Sequence, residues 1–395
     1  MIKILCVLCV LCVSISAQSL PVAAPNTVGM SAEKLNQIDA LVEKDIADKK
    51  LPGAVVLIGR KGKIVYRKAF GNRSLVPTVE KMTVDTIFDV ASLTKPVATA
   101  TSIMILVERG QIRLNDTIGK FIPEIEDENA KRVTIQQLLT HVSGYQPDFD
   151  LREKWTGRDG MLQALYKERL RQPAGTKFVY SDIGFIVLGE IARRINGTSS
   201  FLQSFLRNDL EMSHTAFLQN IKENPIENRI NFSLIAPTEN VKGQQNYLGG
   251  MFEGDEKTGN QILRGQVHDP TAFRMGGVAG HAGLFSTADD LARYCQMLLN
   301  GGVLDGKRIL SAQTIAKMTA PVVVSETGAT RGLGWDMNSS FSANRGEFFP
   351  LGSFGHTGFT GTSVWIDRVT NTFVVFLSNR VHPDGKGDVT PLRAK

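Results

Sequence analysis

Cysteine is scarce in this 395-residue chain, and its few copies are unevenly placed. Cys6, Cys9 and Cys12 fall within the first apolar stretch, leaving Cys295 alone in the remainder. A disulfide within that remainder is excluded, so stability rests on a hydrophobic core. Cys295 sits among Leu291, Tyr294 and Leu298 at helical spacing, which predicts a buried small apolar residue rather than a nucleophile. Runs of like charge are also missing. The net charge of +6 is interspersed, with no basic patch or arm of the kind that nucleic acid requires. No internal repeat or low-complexity tract is present. His268, Asp269 and His281 lack the H-x-x-x-H or C-x-x-C company that supports a metal site, and a structural role is expected for them. The glycine-rich run 276–283 lacks a preceding strand and a G-K-[ST] ending, which excludes a phosphate loop.

Long apolar runs are equally rare. Ile4 to Val13 is unbroken, follows the positive Met1-Ile2-Lys3, and leads into Ser14-Ile15-Ser16-Ala17. That order predicts a secretory signal peptide over residues 1–17, too short to span a membrane as a helix. None of the three early cysteines follows the small residue that lipid attachment needs. The expectation is an exported protein, periplasmic or secreted, with no stable membrane span in the mature chain. Hydrophobic content of 42% and charged content of 21% describe an ordinary globular protein.

The stretch Ile87-Phe88-Asp89-Val90-Ala91-Ser92-Leu93-Thr94-Lys95-Pro96 carries the chemistry. Pro96 fits only near a helix start, which puts Ser92 at the helix mouth. Residues three apart share a helix face, so the Lys95 amine can reach the Ser92 hydroxyl and activate it. Ser31-Ala32-Glu33-Lys34 has the same spacing, but Leu35, Ile38, Leu41, Val42 and Ile46 follow it in an amphipathic pattern. Ser31 is therefore expected to be a helix N-cap.

The remaining pattern predicts two strands, Ala54–Ile58 and Lys63–Ala69, around a Lys61-Gly62 turn. A capping box at Thr134 to Gln137 opens a short helix, and Phe185 to Ile195 forms another that ends at Asn196-Gly197. Residues 220–272 read as long surface loops. A helix after Ser286 ends at Gly301-Gly302. Strands follow at Gly332–Met337, Gly361–Asp367 and Thr372–Ser378. The fold class is α+β. A sheet subdomain would span about 30–110 and 281–395, with a mostly helical insert over about 111–280.

Three more stretches complete a constellation: Leu138-Leu139-Thr140-His141-Val142-Ser143-Gly144, Tyr180-Ser181-Asp182, and His356-Thr357-Gly358 leading into a strand. His141 and His281 stand in turn-rich motifs and are expected to hydrogen-bond the backbone. With Ser92-Leu93-Thr94-Lys95, these stretches resemble the ordered motifs of the penicillin-recognising serine hydrolases, in the class C β-lactamase, DD-peptidase and esterase branch. The resemblance covers about residues 30 to 390. It implies a β-lactamase/transpeptidase-like fold, one catalytic domain over residues 18–395, and no cofactor.

It also implies roles. Ser92 would form an acyl-enzyme, and Lys95 and Tyr180 would move its proton. The N–H groups of Ser92 and Phe359 would bind the oxyanion. His356 and Thr357, ahead of Gly358, would hold a substrate carboxylate or tune Tyr180. Two departures stand out. Asp182 replaces the family's asparagine and, when ionised, only accepts hydrogen bonds. Pairing with Lys95 would turn it away from acylamino β-lactams. His356 replaces the lysine usual in β-lactamases, which points towards a DD-carboxypeptidase-like enzyme on peptidoglycan peptides or another small-molecule substrate. A carboxylesterase, a class C-type β-lactamase and a non-hydrolytic penicillin-binding or sensing module are the alternatives. Such a family continues past Leu392-Arg393-Ala394-Lys395 into a helix on the sheet, so either the sequence is cut short there or that helix is absent, and its absence would bare one sheet face. Motifs leave the oligomeric state open.

Overall fold

A computed structural model describes residues 19–218, 230–242 and 261–395. The expected signal peptide, its three cysteines and much of the expected 220–272 loop lie outside them. Among the described residues nine antiparallel strands form the main sheet. In spatial order they are Glu80–Lys81, Lys63–Ser74, Gly53–Arg60, Thr372–Ser378, Thr362–Asp367, Phe354–Gly358, Asp336–Asn338, Thr330–Arg331 and Val322–Val323. The two chain ends meet at its centre, where Ala54 pairs with Ser378 and Arg60 with Thr372.

Alternation along Gly53–Arg60 explains how one strand serves two cores. Ala54 and Val56 face a cluster with Val42, Phe70, Phe376 and Leu392, while Val55 and Leu57 face the larger core. The first face is covered by the helix Ala32–Ala47, capped by Ser31 as its sequence indicates. A short helix, Thr390–Ala394, with Leu392 buried in the same cluster, also covers it. The expectation of a sheet face without a final helix is therefore corrected in part: these last residues already turn helical against the sheet.

On the opposite face lies a helical run from Ala91 to Glu108 and the helix Ala288–Leu299. Cys295 is fully buried there, and burial pushes its thiol pKa up, as expected of an inert apolar residue. The helix Asp182–Asn196 closes on Gly197 at φ +74°, and the Thr134–Gln137 capping box forms with both hydrogen bonds in place. Of the expected strand 332–337 only Asp336–Met337 is strand, because Gly334 takes φ +84° and turns the chain between Thr330–Arg331 and Asp336–Asn338. A small second sheet escaped the sequence pattern. It joins Phe88–Asp89, Leu284–Ser286 and Ala216–Phe217. Segments this short carry too few residues for a period to register. Among the described residues no helix is long and apolar enough to cross a membrane.

Candidate active site

The small sheet positions the turn that carries Ser92. Val90 donates its N–H to Leu284 O at 3.0 Å, and Leu284 donates to Thr94 Oγ1 at 3.1 Å. Ala91 takes φ +47°, a conformation that costs energy for a residue with a Cβ and so must be held by its surroundings. The holder is Asp89. Its carboxylate is fully buried and accepts from Ala91 N at 2.9 Å and from His268 N at 2.7 Å. Burial raises its pKa to about 6, against the pull of those two bonds.

After Ser92 the chain enters a π-helical turn, Lys95–Ala100, instead of a regular α-helix. Such turns concentrate at functional sites. Thr101 Oγ1 and Tyr294 Oη both reach the Pro96 carbonyl, at 2.9 and 3.2 Å. Ser92 stays half-buried while Lys95 is wholly buried. The lysine donates to Ser92 Oγ and to the backbone oxygen of His281, each at 3.1 Å, and its Nζ stands 2.5 Å from Asp182 Oδ1. Burial alone would depress the Lys95 pKa. The Asp182 carboxylate, helped by Tyr180, overcomes it and holds the pKa above the ordinary lysine value.

Asp182 is the first residue of its helix, where a negative charge is favoured. Ser181 caps that helix, accepting from Gly184 N at 3.3 Å and donating to Gln146 O at 2.7 Å. Next to it, the Tyr180 ring stacks on His141 with centroids 4.4 Å apart. His141 Nδ1 accepts the Ser181 N–H at 3.0 Å, the backbone role expected of it. Lys95 Nζ lies 4.9 Å from the Tyr180 ring centre. Burial raises the Tyr180 pKa, and Lys95 offsets that only partly.

Strand Phe354–Gly358 forms the facing wall. An added Cβ on Gly358 would stand 2.2 Å from Thr362 Oγ1 and 2.4 Å from Val90 O, so only glycine lets the strand approach the Ser92 turn. His356 Nδ1 lies 2.8 Å from Thr357 O, which assigns it the proton, while Nε2 is buried without a partner among the described residues. Burial, then Arg331 and Lys95, drive its pKa well down, so the imidazole is neutral. Ser92, Tyr180, His356, Thr357, Gly358 and Phe359 line one cavity of about 460 Å³, and Phe359 stands 60% exposed at its mouth. Lys95 and Asp182 sit behind the wall of this cavity, joined to it through Ser92 and Tyr180.

Several neighbours escaped the sequence reading. His281 does not bond the backbone through its ring as expected. Its Nε2 pairs with Asp269 at 2.7 Å. Burial would lower the His281 pKa, but Asp269 raises it. A histidine and an aspartate twelve residues apart give no local signal that they will meet. Arg331, fully buried under the Phe178 and Tyr180 rings, lines the cavity with Asp336 at 3.2 Å as its carboxylate partner. Among the described residues its Nε and Nη2 have no hydrogen-bond partner. Arg380 and Arg393 complete the far wall. Among the described residues no group of three or more His, Cys, Asp or Glu is gathered as a metal site would require.

A buried lysine beside a serine hydroxyl, facing a glycine-tight strand, is the arrangement of a serine hydrolase. Comparison with known proteins agrees. The β-lactamase family model matches residues 38–395, and the chain belongs to that family. It is 32% identical to an Escherichia coli (strain K12) protein named as a D-alanyl-D-alanine carboxypeptidase, covering 93% of this chain and 88% of that one. It is also 32% identical to a Bacillus subtilis (strain 168) N-acetylmuramyl-L-alanine amidase, covering 90% and 83%. Among solved structures, EstCE1, a hydrolase with promiscuous acyltransferase activity, superposes with a TM-score of 0.69 at 20% identity, covering 91% and 97%. A class C β-lactamase gives 0.68 at 19%, covering 92% and 96%. At that identity these structures speak for the fold, which is the β-lactamase-like α+β fold expected from the sequence.

Proposed function

We propose that this protein is an exported DD-carboxypeptidase-like enzyme that cleaves peptidoglycan peptides through an acyl-enzyme on Ser92. One observation carries the reading: the 3.1 Å contact between Lys95 Nζ and Ser92 Oγ, at the floor of a cavity facing Gly358. Ser92 Oγ attacks the substrate carbonyl, and the C–N bond breaks as the amine leaves. The serine proton enters the cluster of Lys95, Tyr180 and Asp182 and passes from there to the departing nitrogen. Water then attacks the ester, its proton returns by the same groups, and Ser92 is restored. The N–H groups of Ser92 and Phe359 hold the oxyanion, and such donors typically contribute about 10²–10³ in rate each.

Neutral His356, Thr357 and the underused Arg331 guanidinium are suited to a substrate carboxylate, which a peptide C-terminus supplies. The names of the curated relatives, together with the leader-like residues 1–17, support a substrate and a location outside the cytoplasm. Asp182 favours a second reading, a carboxylesterase. A carboxylate paired with Lys95 cannot donate to the acylamino carbonyl of a peptide or β-lactam.

The test is release of D-alanine from an N-acylated peptide ending in D-alanyl-D-alanine, beside turnover of a p-nitrophenyl ester. Peptide cleavage that disappears in Ser92→Ala supports the first reading. Ester turnover without peptide cleavage supports the second.

A further inference from the structure

The glycine-rich run 276–283 is no phosphate loop, and the acyl-enzyme chemistry gives it no role. Hydrogen bonds tie its end to the segment around Ser92. Thr99 Oγ1 donates to Gly280 O at 2.6 Å, and Lys95 Nζ donates to His281 O at 3.1 Å. Just beyond, Leu284 donates its N–H to Thr94 Oγ1 and accepts from Val90 N. A Cβ on Gly280 would stand 2.0 Å from Phe185 O, so glycine is what lets the run lie this close.

His281, within this run, is wholly buried. Its Nε2 stands 2.7 Å from Asp269 Oδ1, while Nδ1 is buried without a partner. Among the described residues the bond to Asp269 is thus the ring's one polar anchor. Asp269 is itself fixed, because the same Oδ1 accepts the Ala272 N–H at 2.8 Å and caps the helix Pro270–Arg274. Residues on either side of Asp269 reach the rest of the site. The His268 N–H holds Asp89, which holds the Ala91 turn before Ser92. Thr271 Oγ1 donates to Asp148 Oδ2 at 2.7 Å, and the neighbouring Pro147 O accepts the N–H of Asp182 at 2.6 Å. The short stretch 268–271 therefore registers Ser92, Lys95 and Asp182 against one another.

We infer that His281 and Asp269 are positioning residues for the Ser92 reaction: their bond fixes the His281 carbonyl that receives Lys95 Nζ, and so holds the amine against Ser92 Oγ. This rests on the acyl-enzyme reading of Ser92 and adds to it two residues that act through Lys95. An ammonium has three N–H groups to place. Around Lys95 Nζ stand Ser92 Oγ, Asp182 Oδ1 and His281 O. The first two exchange protons in that reading, whereas a carbonyl only accepts and so serves as the fixed point. Without it, the flexible stem of the lysine is free to swing away from the serine.

The experiment reads two quantities in full-length protein. One is the rate constant for irreversible phosphonylation of Ser92 by a fluorophosphonate, followed by intact mass. The other is kcat and KM for p-nitrophenyl acetate. The final amplitude of phosphonylation reports the folded fraction, so a variant that folds poorly still yields a rate constant. His281→Leu keeps the ring's bulk without its N–H, and Asp269→Ser keeps the helix cap on a side chain too short to meet His281. Both should lower the rate constant and kcat by about tenfold or more and change KM by less than about threefold, since a misplacement of about 1 Å can cost on the order of 10²-fold. His281→Gln and Asp269→Asn keep a neutral donor and acceptor at the same places. Each should stay within about threefold of wild type in both quantities. Rate constants in His281→Leu and Asp269→Ser equal to wild type would overturn the inference. Equal losses in all four variants would also overturn it, by showing that charge and not position matters. Reaction that is absent from wild type with both reagents, or that survives Ser92→Ala, would instead overturn the acyl-enzyme reading and the inference with it.

Discussion

Lys95 and Asp182 form an ion pair of 2.5 Å inside the wall of the cavity that Ser92 lines, and the lysine is wholly buried. The amine proposed to accept the Ser92 proton is thereby held as an ammonium at rest. The carboxylate that holds it is also the nearest group able to relieve it of a proton.

Replacing that carboxylate by an amide reverses the balance. In Asp182→Asn, burial acts on Lys95 without its main counter-charge, so its pKa falls. The free amine then becomes populated at lower pH, and the rise of kcat/KM with pH moves down by at least one unit. A pH–rate profile on a neutral ester checks this, and superimposable profiles would refute it. The ratio of β-lactam to ester turnover should rise in the same variant, because asparagine can donate where aspartate cannot.

Asp89 makes folding stability depend on pH in a direction unusual for an aspartate. Its carboxyl titrates near 6 in the fold against an ordinary 3.8, so the native state holds the proton more tightly. Its contribution is fully present below pH 3.8 and is lost as pH rises through 6. The loss is about 3 kcal/mol, from roughly 1.4 kcal/mol per unit. Asp89→Asn removes this slope but sets an amide N–H against the Ala91 or His268 N–H. The variant should therefore be destabilised at pH 4 and much less so at pH 7. Urea unfolding at both values tests it, and an equal deficit at the two would contradict it.

Gly358→Ala places a methyl where Thr362 Oγ1 and Val90 O already stand. The strand must retreat from the Ser92 turn, carrying the Phe359 N–H with it. Ester turnover should fall by about 10²–10³, the usual loss for one oxyanion donor, while circular dichroism stays close to wild type. Unchanged kcat would show that the Phe359 N–H plays no part.

Much of this fold was legible because its signals are local. Ser31 and Thr134 declare helix starts through side-chain caps, and Gly53–Arg60 and Thr372–Ser378 are runs of β-branched and apolar residues. Ser92 and Lys95 share one helical turn, so their meeting follows from spacing alone. The contacts behind them do not. His281 meets Asp269 through a fold-back, Asp89 finds His268 across 179 residues, and Arg380 and Arg393 reach the cavity only because both chain ends share one sheet. The π-helical turn after Pro96 was equally hidden, since it depends on Thr101 and Tyr294 capturing a carbonyl.

The most direct measurement is the intact mass of the protein after incubation with benzylpenicillin and with a p-nitrophenyl ester, followed by peptide mapping. The account predicts a covalent acyl adduct on the peptide bearing Ser92 with at least one reagent, absent in Ser92→Ala. An adduct on another residue, or ester turnover undiminished in Ser92→Ala, would contradict it.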